Sequence, residues 1–521
     1  MRNLYGVILL LAASAAGAVE QPIRIEGGLV SGVPGKDSSI TAFKGIPFAA
    51  PPVGELRWRA PKPVLPWQGV RRADRFSASC IQNVVPERKP WTYEFMTHGD
   101  ISEDCLYLNV WTAAKSAAEK RPVFVYLYGG GFSEGSAAVP VYDGEGLAKK
   151  GLVVVTINYR VGVLGFLALP ELTTESDHRA SGNYGLLDQI AALQWVRENI
   201  SRFGGDPARV TLAGQSAGGM SVHYLTASPL AKGLFQRAIV ESGGSNIDRV
   251  AILAPRALPE AEADGQKLAE TKGAKSLKDL RAMSWQKLAE AAPGASLASG
   301  LRFAPIVDGY LLPAGVREIF ARGQQNDVVT LTGANTGELG GFGPPPGPVT
   351  AESFIKLAQQ RYGPEAEEFL KLYPASTDDQ AKLSQAQSTR DQALVSMYLW
   401  AKERAKTSKT KVYEYLWDHA PPGPDAARFG AFHTSEVPYV LNTLYMSDRP
   451  FTDADHKIAG MMSSYWANFA AAADPNGKGL APWAPINGNP EIMEVGDRSG
   501  PTAAAGSPAK FRFFEALLTK Q

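Results

Sequence analysis

Two stretches, residues 121–128 (RPVFVYLY) and 152–159 (LVVVTINY), are largely continuous runs of β-branched and aromatic residues. A strand with one wet face would alternate, so these runs predict strands buried on both faces of a mostly parallel sheet. Such a sheet needs helices on each face. Residues 186–200 (LLDQIAALQWVRENI) carry apolar side chains at helical spacing, and 210–213 (VTLA) read as another short buried strand. Further strands are expected at 238–241, 328–332 and 411–417, with helical stretches over 261–292 and 351–406 inserted above or beside the sheet. Residues 23–46 read as small strands joined by glycine turns, ahead of an irregular proline-rich segment over 47–66. Short Pro/Gly patches at 341–348 and 421–424 read as loops. The reading is an α/β fold: a central sheet flanked by helices, with a small N-terminal β region and helical insertions. Without repeats or a clean linker, residues 19–521 are expected to form one domain.

The first residues are of another kind. Arg2, an apolar run over 4–11 and the small residues Ala16-Gly17-Ala18 read as a signal peptide, 1–18, cleaved after Ala18. A membrane anchor is the alternative, but the apolar run falls short of the roughly 20 residues a spanning helix needs. Export predicts a secreted or periplasmic protein without a membrane span. In an oxidising compartment its two cysteines, Cys80 and Cys105, would pair. Free thiols are the alternative, and with no nearby His to complete a ligand set they do not form a zinc site. The 53 basic and 52 acidic side chains leave a formal net charge of only +1, so a nucleic-acid partner is not expected.

The chemistry is concentrated in Gly214-Gln215-Ser216-Ala217-Gly218, which lies between the strand at 210–213 and a helical stretch beginning at 219. A sharp strand-to-helix turn would expose the Ser216 hydroxyl as a nucleophile, with small neighbours allowing close backbone approach. A merely structural glycine turn is the alternative. Serine needs a base and donors for the oxyanion. Gly129-Gly130-Gly131-Phe132 follows the strand at 121–128, where backbone N–H groups could meet a substrate oxygen together with the N–H of Ala217. A phosphate loop would need the Lys-Ser/Thr ending that is absent here.

Six histidines compete for the role of base. His98 and His178 precede the nucleophile, against the chain order of this arrangement, and His223 would project away from it. His419 and His456 stand in charged surroundings and read as surface residues. His433, in a loop of small residues, is the best candidate. The acid should end a strand between Ser216 and His433; Glu338 does so, with Asp308 as a rival whose Asp-Gly pair also reads as an ordinary turn.

At this point the residues resemble a family. Phe203-Gly204-Gly205-Asp206-Pro207 leading into Gly214-Gln215-Ser216-Ala217-Gly218 is similar to the active-serine signature of type-B carboxylesterases, the cholinesterase-like branch of the α/β-hydrolases. Glu103-Asp104-Cys105-Leu106-Tyr107-Leu108-Asn109 resembles their second signature, and Asn158-Tyr159-Arg160, Gly182-Asn183-Tyr184-Gly185 and Trp466-Ala467-Asn468-Phe469 agree. The resemblance implies an α/β-hydrolase fold, Ser216 as nucleophile, His433 as base and Glu338 as acid. It also implies Gly130, Gly131 and Ala217 as oxyanion donors and a Cys80–Cys105 disulfide. Ser242 and Glu436 match buried polar positions near the triad, where ordinary hydrogen bonding is an equal reading. Tyr128 stands where many members have His, and Gln215 where many have Glu.

The expected activity is that of an exported serine carboxylesterase acting on small-molecule esters through an acyl-enzyme, with no metal or cofactor implied. The alternatives are an interfacial lipase, for which no long amphipathic lid is evident, and a catalytically silent cholinesterase-like binding protein, which would lack a nucleophile or base.

Overall fold

A computed structural model of the chain describes residues 19–244, 255–290, 301–338 and 349–519. The segment 1–18 read as a signal peptide and the loop expected at 341–348 lie outside the described residues. The central sheet comprises β1 (Val33–Pro34), β2 (Thr41–Pro47), β3 (Tyr107–Thr112), β4 (Arg121–Leu127), β5 (Val153–Ile157), β6 (Gly205–Gln215), β7 (Arg237–Glu241), β8 (Val329–Asn335), β9 (Val412–Trp417), β10 (Glu491–Val495) and β11 (Gly500–Ala503). Its spatial order is β11-β10-β9-β8-β7-β6-β4-β5-β3-β2-β1. Pairing is parallel from β5 across to β10 and antiparallel outside that block.

The apolar runs that announced β4 and β5 are buried throughout: Val123 to Leu127 and Val153 to Ile157 are all at most 2% exposed. Burial on both faces requires cover on both, and the sheet has it. The covering helices include α1 (Tyr184–Asn199), α2 (Ala217–Ala227), α5 (Asp378–Arg404) and α6 (Asp453–Ala472); α3 (Leu258–Lys272) packs on a separate two-stranded sheet, and α4 (Ala351–Tyr362) and α7 (Pro508–Thr519) pack on α5. Under α6, the Trp466 indole N–H and the Tyr126 hydroxyl both donate to the Glu241 carboxylate, at 2.6 and 2.9 Å. Glu241 is registered with Gly333, so by strand alternation Thr332 faces the opposite side, where its hydroxyl meets Met397 of α5 at 3.8 Å.

The small N-terminal β region is present as a three-stranded sheet of Ile23–Ile25, Gly28–Ser31 and Val70–Arg72. Segment 47–66 is irregular apart from one short 3-10 turn at Gly54–Leu56. Cys80 and Cys105 are bonded to each other, both buried. One expectation was too short: the strand at 210–213 is the middle of the longer β6. Its first part contains Pro207 and is displaced from register with β4 between Gly205 and Val210, so only the apolar second half carried a strand signal. Among the described residues no helix is long and apolar enough to cross a membrane.

Candidate active site

β6 delivers the chain to Ser216, which turns it into α2 with φ +57° and ψ −123°. A non-glycine residue there costs about 1–3 kcal/mol and persists only where its surroundings fix it. The fixing contacts are backbone bonds: Ser216 N–H to the Glu241 carbonyl at 2.8 Å, and Met220 N–H to the Ser216 carbonyl at 2.8 Å. The turn also needs bare backbone at Gly218, where a Cβ would lie 2.1 Å from the Leu127 carbonyl oxygen.

β4 leads into the glycine loop alongside. Gly130, Gly131 and Phe132 have φ of +106°, +61° and +62°, and the Gly130 carbonyl accepts from the N–H groups of Ser133 and Glu134 at 3.0 and 3.2 Å. Phe132 is fully buried, packing edge-on against Phe166. Tyr128 stacks on Tyr159 with ring centroids 4.2 Å apart, and each hydroxyl donates to the other residue's carbonyl at 2.8 Å. A Cβ on Gly129 would stand 3.0 Å from both the Ser216 Cβ and the Gln215 amide oxygen, so the loop lies directly against the turn.

The base and acid come from the ends of β8 and β9. Glu338 follows β8 by three residues, and its Oε1 accepts from the Asn335 N–H at 2.8 Å and the Ser242 hydroxyl at 2.6 Å. Its Oε2 faces His433 Nδ1 in a short hydrogen bond. Burial pushes the Glu338 carboxyl upward, but the adjacent His433 and the hydrogen bonds outweigh it and hold the group below its ordinary value. A lowered carboxyl stays ionised, and its contact fixes the proton of the neutral imidazole on Nδ1. Nε2 is then the lone pair. Facing it at 3.2 Å is the Gln215 side-chain amide nitrogen. The His433 backbone is tied as well: Trp91 Nε1–H donates to its carbonyl at 3.1 Å, and Asn335 Nδ2–H donates to the Phe432 carbonyl at 2.8 Å.

Ser216, Glu338, His433, Gln215 and Ser242 therefore meet in one place, with Gly130, Gly131 and Ala217 in the adjoining loop and turn. Glu436 lies just behind, its Oε2 accepting from Asn335 Nδ2 at 2.5 Å; burial pushes its carboxyl well above the usual range, and Glu241 and Glu338 add to that. Asp308 is elsewhere engaged, accepting from the N–H groups of Tyr310 and Leu312 at 3.1 and 2.9 Å as an ordinary turn carboxylate. His98 bonds the Tyr93 carbonyl, His178 stacks on Tyr310, and His223 bonds the Gly244 carbonyl while burial pushes its imidazole down to about 4. His456 is exposed, as expected. His419 is not the surface residue expected: its ring nitrogens bridge Asp497 at 2.6 Å and Asp455 at 2.9 Å, and its side chain is only 12% exposed. The charged neighbours that suggested solvent are its hydrogen-bond partners. Asn335 and Trp91 were not anticipated. Asn335 ends a strand three residues before a candidate acid, which is a usable signal, whereas nothing local marks Trp91.

The profile of the Carboxylesterase family matches residues 20–513. A fumonisin B1 esterase of Sphingopyxis macrogoltabida is 36% identical over 510 residues, 96% of this chain and 91% of that protein. A human cocaine esterase is 33% identical, covering 94% and 90% of the two chains. A para-nitrobenzyl esterase of Bacillus subtilis is 34% identical, covering 88% and 91%.

Proposed function

The chain belongs to the carboxylesterase family, with an α/β-hydrolase fold and carboxylic ester hydrolase activity, and from that premise we propose that it works through a Ser216-His433-Glu338 triad. Ser216 Oγ attacks the ester carbonyl while His433 Nε2 takes its proton, and Glu338 holds the ring in the Nδ1–H tautomer and stabilises the imidazolium. The N–H groups of Gly130, Gly131 and Ala217 receive the oxyanion. His433 returns the proton to the departing alcohol, leaving an acyl-enzyme that water hydrolyses by the same route.

The observation that carries this reading is the Glu338–His433 contact beside a serine held at φ +57°. A silent binding protein has no need for either. The same contacts, together with the family match over 20–513, support reading 19–521 as one catalytic unit. The Cys80–Cys105 bond supports export to an oxidising compartment.

The substrates proposed are soluble small-molecule esters, the kind that the names of the para-nitrobenzyl and cocaine esterases denote. A panel varying acyl length, aromaticity and charge, run with wild type and Ser216→Ala, tests both points. Turnover that requires Ser216 supports the reading; Ser216→Ala at wild-type rate refutes it. A strong preference for emulsified over dissolved ester would move the assignment to an interfacial lipase.

A further inference from the structure

Gln215 is 1% exposed, sits immediately before Ser216 at the end of β6, and places its amide nitrogen 3.2 Å from His433 Nε2. The direction of this contact follows from chemistry. Glu338 receives the Nδ1 proton, so Nε2 of the neutral ring can only accept, and the Gln215 N–H donates to it. The amide oxygen lies on the Gly129 side, where a Cβ would crowd it at 3.0 Å; the glycine leaves it room. The nitrogen that must take the serine proton is thus already touched by a neutral donor.

We infer that Gln215 is a positioning residue for His433, holding the ring in its neutral, proton-accepting state between turnovers and serving the imidazolium by turning its amide oxygen toward Nε2 when the proton arrives. A carboxylate in its place could only accept and would hold the charged ring. A carboxamide can do either. The inference rests on the triad proposed above and adds the claim that residue 215 sets the acid edge of activity.

Other ionisable groups among the described residues lie around the ring. Glu338, on the Nδ1 side, is held low. Beyond it lie Glu436 and Tyr415, both pushed well up by burial, and Glu241, raised to about 7 by burial. Tyr142 is buried and raised. Arg449 stands over the Phe432 ring, 5.7 Å from its centre, and is paired with Glu94.

Activity as kcat/KM requires the neutral imidazole, so its acid limb reports protonation of that ring. A carboxylate 3.2 Å from Nε2 favours the charged form and must move the limb to higher pH. The experiment compares active-site-titrated wild type, Gln215→Glu and Gln215→Met on one soluble ester, with Ser216→Ala alongside. Gln215→Glu is expected to raise the acid limb by about 1 pH unit or more. Gln215→Met, which keeps the volume without the hydrogen bond, is expected to lower kcat about tenfold with KM little changed. A residue that only filled space would leave kcat of Gln215→Met near wild type, since that variant keeps the volume. Folded Gln215→Glu with the wild-type limb overturns the inference; where that variant does not fold, wild-type kcat in Gln215→Met overturns it. An active Ser216→Ala would instead bring down the triad on which it rests.

Discussion

Ser216 occupies a conformation that glycine adopts freely and serine does not, and in the proposed triad that strain presents its hydroxyl for attack. Glu338 accepts from Ser242 and Asn335, leaving one oxygen for His433. In the proposed triad, replacing it with Gln keeps the shape but removes the charge that would steady the imidazolium and lets the amide impose the wrong tautomer. Glu338→Gln is expected to lower kcat by about 10²- to 10⁴-fold, measured on a soluble ester, while Asp308→Asn stays near wild type. The reverse pattern, in folded variants, would transfer the role of acid to Asp308. At this scale the sequence marks Ser216, Glu338 and His433 because each stands in a recognisable relation to a strand end. It cannot mark the Gln215–His433 or Trp91–His433 contacts, since these join residues 218 and 342 positions apart and depend on how β6, β9 and the loop near Cys80 come together.

The elements that were readable are those whose burial is written into every residue. β4 and β5 are apolar throughout because both faces are covered, and the helix at α1 kept its spacing. β10 and β11 were not foreseen: Glu491–Val495 carries two glutamates and Gly500–Ala503 a glycine and a proline, so neither shows the continuous apolar run of β4 and β5. Nor was the extent of α6, whose start looked merely polar. That polar start is a cap: Asp455 Oδ2 accepts from the Thr452 N–H and hydroxyl at 2.8 and 2.6 Å, while Oδ1 accepts from Tyr439 at 2.7 Å and His419 at 2.9 Å. Burial pushes this carboxyl up, but the hydrogen bonds from Thr452, Tyr439 and His419 prevail and bring it down to about 2. A carboxyl lowered in the folded state stabilises above its ordinary value of 3.8, and that stabilisation is lost as pH falls toward about 2. Asp455→Asn should therefore cost about 1–2 kcal/mol at neutral pH by denaturant unfolding. The gap to wild type should narrow as pH falls from about 4 toward 2; a gap that stays constant would deny the carboxylate its role.

Across the whole molecule, the sheet gathers strands from Val33 to Ala503, and the proposed catalytic groups hang from the ends of neighbouring central strands: Ser216 from β6, Glu338 from β8 and the loop of His433 beyond β9, with Ser242 at the end of β7 beside them. The layout brings these side chains together at one edge of the sheet. The Cys80–Cys105 bond closes a loop of about 25 residues, which the chain-entropy estimate values at about 3 kcal/mol. Its arm includes Trp91, which holds the His433 carbonyl. Labelling of denatured, unreduced protein should find no free thiol, and reduction should lower the melting temperature; two labelled cysteines in exported protein would contradict the bond. The central claim is that Ser216, fixed in its strained turn, is the group that becomes acylated. The direct measurement is reaction with a fluorophosphonate ester followed by peptide mass analysis. The account predicts one adduct per chain, on the peptide carrying Ser216, formed in step with loss of esterase activity and absent from Ser216→Ala. Complete inactivation with the adduct on another residue, or a Ser216→Ala enzyme still labelled and active, would contradict it.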